Sequence, residues 1–194
     1  MQTEKITKGQ KTKQEILKKA NQLFSTKGFS STSVDEIVQS LGLSAGVFYN
    51  YFNSKNELLN QVITYKINKS KDSLLNTQGK ESAADWIKRA LKLYLSFEHK
   101  NSISQSCPVT TLSQELIKLN LQHLTGLSDY TNEFFQILNR RLIMLNPTNA
   151  NKAHSIMSLC VGGIILARLE SDDIKSQHIL NDCYKSAMML IESR

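Results

Sequence analysis

The chain is poor in residues that interrupt or cross-link helices. Two prolines and eight glycines among 194 residues leave long stretches free to stay helical. Three cysteines, Cys107, Cys160 and Cys183, are an odd number with neither CxxC nor metal-ligand spacing. That argues against a disulfide framework and a structural zinc, and it suits a reducing compartment. His99, His123, His154 and His178 form no metal-ligand pattern. No apolar run approaches the roughly 20 residues that cross a bilayer, and no secretory leader opens the chain. The expectation is a cytoplasmic protein with no membrane partner, no metal and no cofactor. Negative charge is also scarce, and the formal net charge is +7. The excess is uneven: Lys5, Lys8, Lys11, Lys13, Lys18, Lys19 and Lys27 face only Glu4 and Glu15 in the first 28 residues. Such an end suits nucleic acid, and it equally suits a solvated tail.

What is present is helical periodicity. Apolar residues recur at spacings of three and four, and no period-2 segment is visible. This predicts an all-α chain of about nine helices. Ile16, Leu17, Ala20, Leu23 and Phe24 mark a first helix over roughly 13–28, with a capping box at Thr12–Glu15 and Gly28 as its stop. A second box, Ser33–Glu36, opens a helix over 34–41, and Gly42 makes a turn. Ser44 caps a third helix over 45–51. A third box, Ser54–Glu57, opens a fourth helix that ends near Gly79. Longer helices are expected over 83–99, from Pro108, and over 127–145, 150–170 and 174–192. A boundary near residue 53 divides the chain into segments 1–53 and 54–194.

The second and third helices meet across Leu41-Gly42-Leu43, the spacing of a helix-turn-helix. Leu43, Phe48 and Phe52, with Val47 in part, point inward. Ser44, Ala45, Gly46, Tyr49, Asn50 and Tyr51 point outward. Small side chains at 45 and 46 permit close approach to a groove. Tyr49 and Tyr51 offer hydroxyls to phosphates, and Asn50 can pair with a base edge. Lys55 and the helix start at Ser33 add phosphate contacts. On spacing alone, the tyrosines also fit the rim of an ordinary bundle.

The stretch "TSVDEIVQSLGLSAGVFYNYFNSKNELL" resembles the signature of the TetR/AcrR family of bacterial transcription regulators. The Gly-Phe before the second helix, the L-G-L-S turn, the G-x-F-Y-x-Y-F core and the S-K-x-E-L-L opening all match. Ala45 stands where the family often has Lys, and Asn53 where it often has Pro. The first departure bears on which operator is read. The resemblance implies a homodimer whose N-terminal domains, here 1–53, read two half-sites of a palindromic double-stranded DNA. It also implies a ligand-sensing and dimerisation domain, here 54–194, and release of a repressor by an inducer.

Two features of the second half carry information. "IMSLCVGGIILARL" (156–169) is apolar on nearly every side, so it packs within its own domain and against a partner. Cys160, Gly163, Ile164 and Ala167, with Cys183 and Ala187 of the last helix, are the expected dimer contact, as the resemblance implies for the last two helices; a helix wholly buried within one subunit, with Cys160 and Cys183 as packing, is the alternative. "SISQSCPVTTLSQEL" (102–116) resembles the NemR-like, electrophile-responsive branch of the family. Cys107 precedes Pro108, a natural first helical residue, and a thiol at such an N-cap is favoured as thiolate. Cys107 is therefore the candidate sensor, with a structural, half-buried Cys as the equal alternative. Trp86, Tyr94, Tyr130 and Phe134 are candidate pocket residues for an unknown inducer or electrophile. The competing functions are a helical interaction protein without DNA and a cysteine-dependent enzyme with His99 or His123 as base. The enzyme reading lacks an orienting carboxylate and an oxyanion motif.

Overall fold

The computed structural model describes residues 7–72, 81–120 and 124–193. Side-chain caps set the helix starts. The Thr7 hydroxyl accepts from Gln10 N, and the Gln10 side chain accepts from Thr7 N. Helix α1 (Lys8–Thr26) therefore begins before the signal at Thr12. Thr12 instead donates its hydroxyl to the Lys8 carbonyl one turn back, a common option for threonine inside a helix. Ser33 and Ser54 cap α2 (Val34–Gln39) and α4 (Lys55–Ser70) by accepting from Glu36 N and Glu57 N. Neither box closes. The Glu36 carboxylate pairs with Lys27, and Glu57 accepts from both N–H groups of Asn53. Ser44 has N-cap backbone angles for α3 (Ala45–Tyr49), yet its side chain caps nothing. The expected end of the fourth helix near Gly79 lies outside the described residues.

The helix expected over 83–99 is two segments, α5 (Ala83–Tyr94) and α6 (Phe97–Asn101). Leu95 leaves helical geometry at ψ 35°, and the Ser96 hydroxyl accepts from His99 N to start α6. The apolar period runs through this break, which is why it is not visible as a gap. A 3₁₀ turn at Ile103–Gln105 leads to α7 (Pro108–Lys118), followed by α8 (Leu124–Leu145), a second 3₁₀ turn at Pro147–Asn149, α9 (Ala153–Leu169) and α10 (Asp173–Glu192).

A continuous core runs from α1 to α10. Ile16, Phe24, Ile37, Phe48 and Phe52 fill one end, and Trp86, Ile87, Leu112, Leu116 and Leu142 lie deeper in the second half. Each such side chain contributes on the order of 2–3 kcal/mol by leaving water. Helix α4 lies against α1 and α8, and α7 touches α1, α4, α8 and α9. Helix α7 is thus the strut between α1 and the C-terminal helices. Among the described residues there is no strand, and no helix is long and apolar enough to cross a membrane.

Candidate nucleic-acid interface and ligand cavity

Gly42, at φ +68°, turns the chain between α2 and α3, and Leu43 N donates to Val38 O at 2.9 Å to close that turn. Phe48 and Phe52 are fully buried, with ring centroids 5.4 Å apart. Their burial fixes the rotation of α3. Ser33, Ser44, Ala45, Gly46, Tyr49 and Asn50 are left exposed, and Val47 is half-buried. Tyr49 is 62% exposed, and its ring meets Phe48 edge-on at 5.2 Å. A large aromatic therefore stands on an open surface with one side against a buried ring. A Cβ at Gly46 would meet nothing closer than Ser44 Oγ at 4.0 Å, so this face admits a close partner. Lys8, Lys11 and Lys18 are exposed on α1.

Two expected interface residues are placed differently. Tyr51 is half-buried and turned back on α1, its hydroxyl 3.6 Å from where a Cβ at Gly9 would stand. It follows the C-cap Asn50, so the helical face assignment stops short of it. Lys55 is half-buried with Nζ 4.2 Å from the Phe29 ring centroid. Burial lowers its pKa, and the Glu115 carboxylate acts in the opposite direction.

A cavity of about 160 Å³ opens beside α4, α5, α6 and the first 3₁₀ turn. Ser70, Tyr94, His99, Ser102 and Cys107 line it, along with Lys69 and Glu98. Of the four expected pocket residues, only Tyr94 borders this space. Phe134 and Tyr94 border a separate apolar void of about 10 Å³, at most one water in size. Trp86 is fully buried, with the Arg141 guanidinium 5.5 Å from its ring. Tyr130 is buried, and its phenol pKa is raised by burial and by Cys107.

Cys107 is the N-cap of α7 with Pro108 behind it, as the sequence predicts. It is only 2% exposed, and its thiol caps no N–H. Its backbone N–H donates to His99 Nε2 at 3.1 Å. His99 Nδ1 lies 2.6 Å from the Tyr94 carbonyl, so Nδ1 carries the proton and Nε2 accepts. Burial lowers the His99 pKa, and the Arg168 and Lys66 charges add to that effect. Both ring nitrogens are committed to backbone, so His99 is not the base of a Cys–His pair. His123 lies outside the described residues. The Tyr94 hydroxyl is buried on the same wall without a hydrogen-bond partner among the described residues, and burial followed by Cys107 raises its pKa.

Two cations, the buried Lys66 and the half-buried Arg168, lie near Cys107. Lys66 is 2% exposed, and its Nζ donates to Ser25 Oγ and to the Ser104 carbonyl at 3.1 and 3.0 Å. Burial pulls its pKa down to about 8, against the pull of Cys107. Asn21 Nδ2 donates to the same Ser104 carbonyl at 2.8 Å. Arg168 donates to the carbonyls of Lys100 and His99 and to the hydroxyls of Ser106 and Thr110. Sequence reasoning missed these residues. Lys66 carried a signal, since it shares the inward stripe of α4 with Leu59, Val62, Ile63 and Ser70.

Most residues of the expected dimer contact lie inside one subunit, and Cys183 is half-buried. Cys160, Ile164, Ala167 and Ala187 are buried by the chain's own helices. A Cβ at Gly163 would lie 2.8 Å from Cys183 Sγ and 3.2 Å from Leu95 Cδ2. This seam joins α9 to α10 and α5 within one subunit. The other stripe of α9 is open: Leu166 is 55% and Leu169 78% exposed, and a Cβ at Gly162 would meet nothing within 4 Å.

Comparisons with known proteins agree with this geometry. Residues 16–62 match the model of the tetR family of bacterial regulatory proteins. The chain is 29% identical over 167 residues to an uncharacterized HTH-type transcriptional regulator in the lacX 3′ region of Lactococcus lactis, covering 83% of this chain and 85% of that one. It is 39% identical over 92 residues to the uncharacterized HTH-type transcriptional regulator YuxN of Bacillus subtilis, 46% of this chain and 32% of that protein. Among solved structures, a TetR transcriptional regulator from Chloroflexus aurantiacus superposes with a TM-score of 0.80 at 19% identity, covering 96% and 97% of the two chains. The reduced form of E. coli NemR superposes at 0.72 and 19% identity, covering 91% and 95%. These structures share the fold, and the sequence matches fall on the helix-turn-helix and beyond it. Residues 16–62 thus carry a tetR-family helix-turn-helix, and the chain is similar in sequence and fold to DNA-binding transcriptional regulators of the TetR/AcrR family.

Proposed function

We propose that the protein is a cytoplasmic repressor that holds a palindromic operator as a homodimer and releases it when the cavity beside Cys107 is occupied. In this reading residues 1–53 bind DNA, and residues 54–194 sense and dimerise. Ser33, Ser44, Ala45, Gly46, Tyr49 and Asn50 meet the operator, with the exposed lysines of α1 on the flanking phosphates. The dimer forms on the open stripe of α9 rather than on the buried seam. The observation that carries the sensing role is a thiol and an unpartnered buried hydroxyl, Cys107 and Tyr94, on one small cavity. Unpaired buried polar groups are costly, so a ligand oxygen accepting from Tyr94 would relieve that cost.

A small quinone satisfies both groups. The Tyr94 hydroxyl donates to the quinone carbonyl while Cys107 adds across the conjugated carbon–carbon double bond. An S–C bond forms, and the π pair moves to the oxygen, which takes up the proton lost by the thiol. A proton shift then gives the hydroquinone thioether, with no external oxidant. A structural neighbour is described as AibR in complex with isovaleryl coenzyme A and operator DNA, which supports the combination of ligand and operator in this fold.

The test is operator affinity before and after 1,4-benzoquinone. Cys107→Ser is expected to bind DNA as the parent does and to ignore the reagent. Cys160→Ser and Cys183→Ser are expected to respond like the parent. If Cys107→Ser is released as readily as the parent, the sensing role is wrong.

A further inference from the structure

The two halves of the chain are joined by a carboxylate. Glu115 lies on α7, eight residues and about 12 Å of helix beyond Cys107. Its Oε2 accepts from Phe29 N and its Oε1 from Ser30 N, each at 2.5 Å. These two amides belong to the turn that leaves α1 and leads into α2. Gly28 makes their seat. Its φ of +92° is left-handed, and a Cβ there would lie 3.1 and 3.3 Å from the two carboxylate oxygens. Successive backbone N–H groups beside a left-handed residue form a concavity suited to an anion, and charged acceptors make the stronger hydrogen bonds.

The seat is tied onward to the reading head. Thr32 Oγ1 donates to the Gly28 carbonyl at 2.8 Å, and Ser33 then caps α2. Phe29 packs edge-on to Phe24 at 5.1 Å, and Lys55 Nζ lies over the Phe29 ring, 4.2 Å from its centroid. Glu115 thus holds the entry to α2, while its charge acts on Lys55 at the start of α4. Leu112 and Leu116 on either side of it are buried, and α7 is one unbroken helix from Pro108 to Lys118. The N-cap of that helix, Cys107, lies at the cavity. A second tie runs beside it, through Asn21 and Lys66 to the Ser104 carbonyl.

We propose that Glu115 is the positioning residue for operator recognition: it grips the Phe29 and Ser30 amides and so sets the orientation of the helix-turn-helix relative to the C-terminal helices. The grip also gives the cavity its mechanical route to α3. A displacement of α7 at Cys107 pulls the carboxylate from its seat, and the two recognition helices leave half-site register, which is about one DNA turn. This rests on the DNA-binding reading above.

The experiment compares the full-length parent with Glu115→Gln and Glu115→Ala in two measurements. The first needs no DNA: amide exchange at Phe29 and Ser30. Glu115→Ala is expected to speed exchange there at least tenfold while amides of α5 and α8 keep the parent rate. Glu115→Gln, with one acceptor oxygen left, falls between. Benzoquinone on the parent is expected to reproduce the local increase. The second is operator against non-specific affinity. Glu115→Ala is expected to lose about tenfold on the operator and less than twofold on non-specific DNA. After the loss, benzoquinone has little further effect on that ratio. A merely structural residue would lower both affinities together and raise exchange throughout. If exchange at Phe29 and Ser30 and the affinity ratio both stay at parent values in Glu115→Ala, the proposal is overturned. If the parent itself binds no operator, the DNA reading fails, and the exchange measurement still decides whether Glu115 grips the turn.

Discussion

Gly163→Ala is expected to destabilise the subunit, although alanine is the better helix former. The propensity gain is about 1 kcal/mol. Against it, the new methyl would stand 2.8 Å from Cys183 Sγ, 3.2 Å from Cys183 Cβ and 3.2 Å from Leu95 Cδ2. Overpacking of this kind costs roughly 1–3 kcal/mol. Leu95 is buried and cannot swing aside, so the upper part of that range applies and the net loss is about 1–2 kcal/mol. For a chain of this length that lowers the Tm by roughly 2–8 °C. Cys183→Ala removes the closest atom and, being half-exposed, costs less than about 1 kcal/mol by itself. The double variant should therefore recover most of the loss, a coupling of about 1–2 kcal/mol between the two sites. Urea unfolding of the parent, both single variants and the double variant measures this, with sedimentation at the same concentrations. Gly162→Ala is the control, since its Cβ would meet nothing within the subunit. If Gly163→Ala is as stable as the parent and simply additive with Cys183→Ala, the seam is not closed in the way described.

Three further outcomes follow from the same geometry. Leu166→Glu puts a charge on the open stripe of α9 in each subunit. Like charges brought together at a contact cost several kcal/mol, so sedimentation should show monomer and operator affinity should collapse; a stable dimer would move the contact elsewhere. Lys66→Met isolates a buried ammonium. Its pKa of about 8 lies below the roughly 10.4 of an unfolded lysine. Between those values the unfolded chain binds the proton and the native one does not, so this group adds stability as pH rises. The unfolding free energy of the parent relative to Lys66→Met should therefore grow by up to about 3 kcal/mol from pH 7 to pH 10.5, and a constant difference would refute it. Lys55→Ala should weaken operator and non-specific binding alike and flatten the salt slope by about one if Lys55 leaves Phe29 for a phosphate; an unchanged slope means it stays on the ring.

The helix-turn-helix was legible because its signals are local. Ser33, Gly42 and Ser54 act within four residues of themselves, and the Phe48 and Phe52 spacing fixes which face is buried. The failures share a different cause. Tyr51 stands just beyond a helix end, where a helical face no longer applies. The period through Leu95 and Ser96 is apolar on both sides of a real break. Helix α9 carries two apolar stripes, and periodicity cannot say which one its own chain covers. Gly163 belongs to the covered stripe and Gly162 to the open one, although they are neighbours. The cavity and its ties are long-range: Glu115 reaches Phe29 across 86 residues, and nothing in the intervening sequence announces it. Cys107 was legible as a cap through Pro108, while its burial beside Tyr94, Tyr130 and Lys66 comes from tertiary packing.

The most direct test of the account is fluorescence anisotropy across a salt series. The probe is DNA from upstream of the protein's own gene, with an unrelated duplex as competitor, for the parent and Tyr49→Ala. The account predicts a saturable site bound by the parent at about 10⁻⁸ M or tighter at physiological salt, at least roughly 10³-fold better than the unrelated duplex. Tyr49→Ala should lose most of that ratio while its salt slope stays close to that of the parent. Equal affinity of the parent for both duplexes, or a Tyr49→Ala variant that keeps the full ratio, would contradict the assignment of α3 as the element that reads DNA.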